Sequence, residues 1–270
     1  DYCDIKGLQG AEQSRVAAPL HLKGIIEKLR RLCIETYRTQ EEPEFSIVEE
    51  DVMFRVTKII DVQNKDVFIL RRSTAEIRNL NQIGLSPALI RFVMNPSTQG
   101  IILCVGEMAA GKTSSIASMF VSRTKELGGM GIAIEDPPET NLNGVHGKGR
   151  IIQVRASRKN GGYREQLLLA LRSNADQILI GEIREEETAF QVGQAGINGH
   201  IIFSTMHAGS IVKGIERLAT YGKAKTPNAN ELLANGLSAV FWQGLEKVPK
   251  QGGSGFSTRL QSKFLILDGE

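Results

Sequence analysis

The chain has 270 residues, 41% of them hydrophobic and 23% charged, with 28 Gly, 8 Pro, 3 Cys and a single Trp. That balance excludes collagen-like, low-complexity and disordered classes, and the length allows one large or two modest domains. The 33 Lys and Arg exceed the 30 Asp and Glu by only three, too mild a surplus to mark a nucleic-acid surface, so no direct nucleic-acid binding is expected.

The chain opens on Asp1, not Met, without a basic-then-apolar leader. The expectation is a trimmed chain with no visible signal peptide, an upstream docking segment being left open. Cys3, Cys33 and Cys104 form no close pair, which points to reduced thiols of a cytosolic protein and to neither a disulfide framework nor a zinc site. After Pro19, the apolar residues Ile25, Ile26, Leu29, Leu32, Cys33 and Ile34 recur near a helical period and predict a helix within Leu20 to Tyr37. Between Ser46 and Arg72 the character changes. Phe54-Arg55-Val56 and Val67 to Leu70 are β-rich runs joined by the polar cluster Asn64-Lys65-Asp66. A small α+β domain over residues 1–78 is the expectation. A short helix from Asn79 is predicted to end near Asn95-Pro96-Ser97, since proline disfavours helix at the residue before it, and residues 79–97 read as the linker.

After Gly100 the pattern alternates. Apolar runs at Ile101 to Val105, Gly131 to Glu135, Ile151 to Val154, Gln177 to Ile180 and Ile201 to Ser204 are separated by helical patterns. These include Lys112 to Leu127, Tyr163 to Ser173 and Glu185 to Ala195. Near-continuous apolar strands between helices predict an α/β domain over residues 98–270, with a mainly parallel sheet covered on both faces. The longest purely apolar runs are about five residues, against the roughly 20 that cross a bilayer, so no transmembrane span is expected. Gly252-Gly253-Ser254-Gly255 reads as a flexible loop before a last strand from Lys263 to Leu267.

Four motifs carry chemistry. Gly106-Glu107-Met108-Ala109-Ala110-Gly111-Lys112-Thr113 fits G-x-x-x-x-G-K-[ST], directly after an apolar strand and opening a helix, with Ser114 next in line. The glycines let backbone N–H groups turn toward phosphate oxygens at the positive end of the helix dipole. Lys112 would reach the β- and γ-phosphates of ATP, and the Thr113 hydroxyl would ligate Mg²⁺. Ile134-Glu135-Asp136-Pro137-Pro138-Glu139 places three carboxylates at the carboxyl end of a strand, where α/β sheets bind ligands. A carboxylate there can orient or deprotonate an attacking water, and two prolines stiffen the turn.

The third motif, Gln177 to Ile180 followed by Gly181-Glu182-Ile183-Arg184, is an apolar strand ending in an acid, the form of an Mg²⁺-holding Walker B element. Taken alone it reads equally as a buried strand with a surface acid. Arg184 either pairs with Glu182 or points at the nucleotide of a neighbouring subunit. The fourth is Gly199-His200-Ile201-Ile202-Phe203-Ser204-Thr205-Met206-His207. Its histidines lack partners for a metal site. Thr205 and His207 at the strand end would sense a γ-phosphate, whereas His200 reads as a strand-start residue with a structural hydrogen bond.

In this order the motifs resemble those of the type II/IV secretion ATPase superfamily, which serves type II secretion, type IV pili and type IV secretion. That family carries a Walker A loop, an acidic box I-E-D-P-x-E, a Walker B of the form G-E-[IM]-R-D-x-E-T and a histidine box T-G-H-…-S-T-x-H-T. The corresponding segments here are Gly106 to Thr113, Ile134 to Glu139, Gly181 to Thr188 and Asn198 to Ala208, and Ala170-Leu171-Arg172 resembles the family's A-L-R. The likeness is strong over Gly100 to Leu245 and weaker in Phe54-Arg55-Val56 and Leu70-Arg71. The resemblance implies a RecA-like P-loop ATPase domain preceded by a smaller α+β (PAS-like) N-terminal domain, and a homohexameric ring with ATP between the two. By the same resemblance Glu139 is the general base, Glu182 the Mg²⁺-water ligand and His207 the γ-phosphate sensor. Arg55 and Arg71 approach the phosphates from the N-terminal side, while Arg184 and Arg172 serve the site or the subunit interface.

The chain also departs from the family pattern. Glu107-Met108-Ala109-Ala110 replaces the common P-T-G-S and adds negative charge to the loop. Glu185 replaces aspartate, Asn198 replaces threonine and Ala208 follows the histidine. Absence of a four-cysteine zinc insertion points to the pilus-retraction, type IVB or conjugative-pilus branch. The reading that follows is a peripheral motor in the bacterial cytoplasm. It would hydrolyse ATP to drive pilus assembly or retraction, secretion or conjugation, working with inner-membrane platform or secretion-channel proteins. The rival reading is a nucleotide-binding regulatory module with negligible turnover; a kinase would need an acceptor site or lid, and neither is evident.

Overall fold

The computed structural model describes residues 3–8, 12–73, 76–249 and 256–267. Contacts divide the chain into two units, Asp1–Ser73 and Thr74–Glu270. The first unit opens with a strand pair, β1 (Asp4–Lys6) and β2 (Arg15–Ala17), where the polar sequence carries no strand pattern. The helix expected after Pro19 forms as α1 (Lys23–Gln40) and stops at Glu41, whose φ of 52° is left-handed. An antiparallel sheet follows in the order β3 (Glu44–Glu49), β4 (Val52–Ile60), β5 (Asp66–Arg72). Cys33 of α1 packs with Phe45, Ile47 and Val56 in a small core. Strand β3 was not anticipated, because its inward face ends in a glutamate. Glu49 is nevertheless buried, and Lys28 of α1 supplies its counter-charge.

In the second unit, residues 79–97 hold two short helices where one was expected, α2 (Leu80–Ile83) and α3 (Pro87–Met94). Asn79 caps the first by accepting from the N–H of Asn81; Ser86 caps the second by accepting from Ala88, with Pro87 in the first turn, where its missing N–H costs nothing. Leu80, Leu85, Leu89 and Val93 are buried with Phe120 and Phe203. Arg123 closes α3 from outside, donating to the carbonyls of Val93 at 2.6 Å and Asn95 at 2.7 Å.

The remaining strands are β6 (Gly100–Gly106), β7 (Gly129–Glu135), β8 (Gly144–His146), β9 (Gly149–Arg155), β10 (Gln177–Ile180), β11 (Ile201–His207), β12 (Leu237–Pro249) and β13 (Phe256–Ile266). They make one eight-stranded sheet in the order β13-β12-β6-β11-β10-β7-β9-β8. The six inner strands run parallel, and only the margins β8 and β13 are antiparallel. The mainly parallel α/β sheet and the smaller α+β unit are thus the fold observed. Strand β13 is longer than the predicted Lys263 to Leu267, while the glycine-rich loop at 252–255 lies outside the described residues.

Alternation along each strand explains the two layers. Ile101, Leu103 and Val105 of β6 join one core cluster, with Leu167 of α5 (Gly162–Arg172), Val192 of α6 (Glu186–Ile197), Leu218 of α7 (Ile211–Lys223) and Leu233 of α8 (Ala229–Gly236). Ile102 and Cys104 join the other, with α2, α3 and α4 (Lys112–Leu127). Both faces of the sheet are therefore covered, which is why its strands read as unbroken apolar runs. Each fully buried Phe, Leu or Ile contributes about 1.5–3 kcal/mol.

Candidate nucleotide site

Parallel register gathers the motifs at one edge of the sheet. Pairing of β6 with β11 sets Gly106 opposite His207, and pairing of β10 with β7 sets Ile180 opposite Ile134. The residues that follow each strand, Glu107, Gly181-Glu182 and Asp136, therefore emerge side by side at the carboxyl ends.

The loop after β6 turns through Ala109 at φ 58° and Gly111 at φ 80°, then enters α4. Left-handed residues between right-handed ones aim successive N–H groups inward, and no side chain caps the first turn of α4. Met108 is exposed and Ala110 buried. Lys112 is buried, and its ammonium donates to the carbonyls of Gly106 at 3.1 Å and Glu107 at 2.9 Å and lies 3.3 Å from Nδ1 of His207. Because an ammonium has only donors, Nδ1 must accept and the imidazole proton sits on Nε2. That nitrogen is 3.4 Å from Glu182, whose other oxygen accepts from Nε of Arg184 at 2.7 Å. Lys112, His207, Glu182 and Arg184 thus form one continuous chain of contacts, and Arg184 takes the first of its two expected roles.

Burial pulls the Lys112 ammonium below its ordinary pKa, only partly offset by the charges of Glu182, Glu107 and Glu139. Burial also opposes the charge of Arg184, but its hydrogen bond and ion pair with Glu182 prevail and hold it above the usual value. Glu139 acts on both cations and is half-buried. Its neighbours in the acidic turn are engaged elsewhere. Glu135 accepts from Gln153 at 2.6 Å, and Asp136 pairs with Arg155 at 3.2 Å. The charge of Glu139 reaches the phosphate-loop lysine.

Thr113 sits half-buried in the first turn of α4. The Ser114 hydroxyl accepts from the N–H of Glu76, so it faces the 76–78 segment. The Thr205 hydroxyl donates to the carbonyl of Gly181 at 2.7 Å; it fastens β11 to the turn holding Glu182, which takes it out of the sensing role expected for it. His200 makes no structural side-chain bond through Nδ1, which is buried without a partner among the described residues. Arg172 is exposed in the last turn of α5. Arg55 and Arg71 belong to the first unit, where they are direct cross-strand partners on β4 and β5.

Four supporting residues carry no motif. Gln153 donates to Glu135 and to the carbonyl of Thr140 and accepts from the N–H of Leu142, bracing both ends of the acidic turn. The Tyr163 hydroxyl accepts from the N–H of Asp136 at 3.0 Å; burial, then the charge of Glu135, pushes its pKa up, so it stays a phenol. Arg217 donates to the carbonyl of His207 at 2.6 Å. Gln243 of β12, wholly buried, donates to the carbonyl of Ala110 at 2.6 Å. The available signal was an amide directly after Leu237 to Trp242, a run apolar but for Ser238.

These groups suit a nucleotide phosphate chain. A buried ammonium rests on neutral acceptors, inward-turned N–H groups and an uncapped helix start surround it, and acids stand behind. Among the described residues no cluster of three acidic, histidine or cysteine side chains could hold a metal ion. A family model described as Type II/IV secretion system protein matches residues 39–258. The chain belongs to this secretion family. Type II secretion system protein E of Klebsiella pneumoniae is 34% identical over 162 residues, which cover 58% of the chain and 31% of that protein. The type IV pilus retractation ATPase PilT of Pseudomonas aeruginosa is 29% identical over 184 residues, 66% of the chain and 51% of that protein. The chain therefore spans about a third to a half of the length of these relatives. Among solved structures, the pilus retraction motor PilT with bound ADP gives a TM-score of 0.72 at 26% identity, covering 86% of this chain and 66% of that one. The Legionella pneumophila ATPase DotB gives 0.69 at 19% identity, covering 87% and 65%, a likeness of fold. Among the described residues of this secretion-family chain, no helix is long and apolar enough to cross a membrane.

Proposed function

We propose that this chain binds ATP with Mg²⁺ on residues 106–114 and hydrolyses it to ADP and phosphate, as the engine of a pilus, secretion or conjugation machine. The observation that carries the reading is the contact chain from Lys112 through His207 to Glu182 and Arg184, with the charge of Glu139 acting on both of its ends. Membership of the secretion family and the likeness to PilT with bound ADP support it.

In this reading Lys112 leaves its backbone carbonyls for the β- and γ-phosphates, and the loop N–H groups hold the same oxygens. Thr113 and Glu182 would hold Mg²⁺, which when bound offsets phosphate charge. Glu139 takes a proton from the attacking water; the water oxygen bonds to phosphorus as the bridging oxygen departs with ADP. Arg184 keeps Glu182 oriented. His207 loses its Lys112 donor when that lysine turns to phosphate; the ring then registers occupancy by carrying its proton on Nδ1 and donating it to a γ-phosphate oxygen. Arg55 and Arg71 contribute positive charge from the N-terminal unit, and the working form is a homohexamer docked on membrane-embedded partners at the cytoplasmic face.

One observation favours the regulatory reading. Glu107 places an exposed carboxylate in the phosphate loop, and its charge acts on Lys112. Sedimentation with ATP and Mg²⁺ tests the ring: six copies are expected, with phosphate release rising on assembly. A monomer with undiminished activity across dilution would contradict it.

A further inference from the structure

We propose that Gln243 is a positioning residue for nucleotide binding: from the neighbouring strand β12 its side-chain amide fixes the direction of the Ala110–Gly111 peptide in the phosphate loop. The Ala110 carbonyl accepts from Nε2 of Gln243 at 2.6 Å. A trans peptide is planar, with C=O and N–H on opposite sides, so holding the Ala110 carbonyl toward β12 turns the Gly111 N–H away from β12. The amide is itself oriented. Its Oε1 faces Sγ of Cys104 at 3.5 Å, and burial pushes the Cys104 thiol up, so it remains protonated and can donate. Gln243 cannot flip without placing its NH₂ group against that thiol and its oxygen against the Ala110 carbonyl.

Both glycines of the loop are tied to the same residue. A Cβ on Gly106 would collide with the backbone carbonyl oxygen of Gln243, and one on Gly111 would lie 3.2 Å from its Nε2. Residue 243 therefore fills the back wall of the loop with both its main chain and its side chain. A fully buried amide is costly unless hydrogen-bonded, and an apolar residue would continue the strand more cheaply. Satisfying the loop carbonyl explains why an amide stands there.

This inference rests on the nucleotide-site reading and predicts a binding defect, not a chemical one. The full chain would be compared with Gln243→Met, which keeps length without the amide, and Gln243→Glu, which keeps shape but replaces the donor with an acceptor. Fluorescent ADP with Mg²⁺ reads affinity, thermal melting reads folding, and phosphate release at saturating ATP reads chemistry. The expected result is a Kd weakened about tenfold in Gln243→Met and further in Gln243→Glu, with kcat within about twofold of wild type. Amide hydrogen exchange at residues 109–111 should quicken in the nucleotide-free variants. A folded variant that binds ADP like wild type overturns the inference, as does loss of cooperative melting in both variants, which would make Gln243 a core residue with no separate duty to the loop. Wild type that binds no nucleotide overturns the site reading itself and this inference with it.

Discussion

Replacing Tyr163 by Phe removes one atom, the oxygen that accepts the Asp136 N–H at 3.0 Å. Asp136 is the residue between Glu135, braced by Gln153, and the proline pair that leads to Glu139. The substitution leaves a half-buried N–H without its acceptor, at a cost of about 1–3 kcal/mol. For a unit of this size each kcal/mol lowers the melting temperature by about 2–4 °C, so a fall of roughly 2–12 °C is expected. The turn would also lose its tie to α5, and displacement of a catalytic group by even an ångström can slow chemistry by up to about 100-fold. Phosphate release at saturating ATP should therefore drop between about 5- and 100-fold, while ADP affinity, set by the loop on β6, stays within about twofold. Paired thermal melts, ADP titrations and phosphate-release assays separate these effects. A Tyr163→Phe protein that melts with wild type and turns over at the wild-type rate would refute the reasoning.

Lys112→Met should abolish stabilisation by ADP while relieving the burden of a buried charge. Because burial lowers the folded-state pKa of Lys112, the wild-type penalty is present below that value and fades as pH rises toward the ordinary lysine value of about 10.4. The melting temperature of Lys112→Met relative to wild type, both nucleotide-free, should be highest near neutral pH and fall back with rising pH; a gap that widens would contradict this. Glu107→Gln removes an exposed negative charge from the loop and should tighten ATP binding by a factor of about 2–5 at low salt, with the gain shrinking as salt is added. Unchanged affinity at low salt would show that the carboxylate does not act on the phosphates.

The parts of the fold that were legible in sequence are those where one local signal coincided with one global role. Ile101 to Val105 and Gln177 to Ile180 read as strands because both faces of the sheet are covered, and Lys112 to Leu127 matches α4 at both ends. Helix α7 was not singled out because Gly214 and Gly222 interrupt its pattern. Those glycines are packing devices: a Cβ at 214 would press on Val105 of β6, and one at 222 on Ala229 of α8. Strand β12 was obscured by Ser238 and Gln243, polar residues within an otherwise apolar run. The site divides in the same way. Lys112, Glu139, Glu182 and His207 sit in recognisable motifs, whereas Tyr163 on α5, Gln153 on β9 and Gln243 on β12 act through contacts made only in the folded chain and belong to no motif. Nor does the sequence mark that the Thr205 hydroxyl donates across the sheet to the carbonyl of Gly181.

The proposed activity is read most directly by steady-state phosphate release from the assembled chain with ATP and Mg²⁺, beside Glu139→Gln and Lys112→Ala. Wild type should release phosphate continuously; Glu139→Gln should fall by about 10²–10⁴-fold while still binding ATP, and Lys112→Ala should lose both binding and turnover. Equal and negligible release by wild type and Glu139→Gln, as assembled rings that bind ATP, would contradict the motor and leave a nucleotide-binding regulatory module in its place.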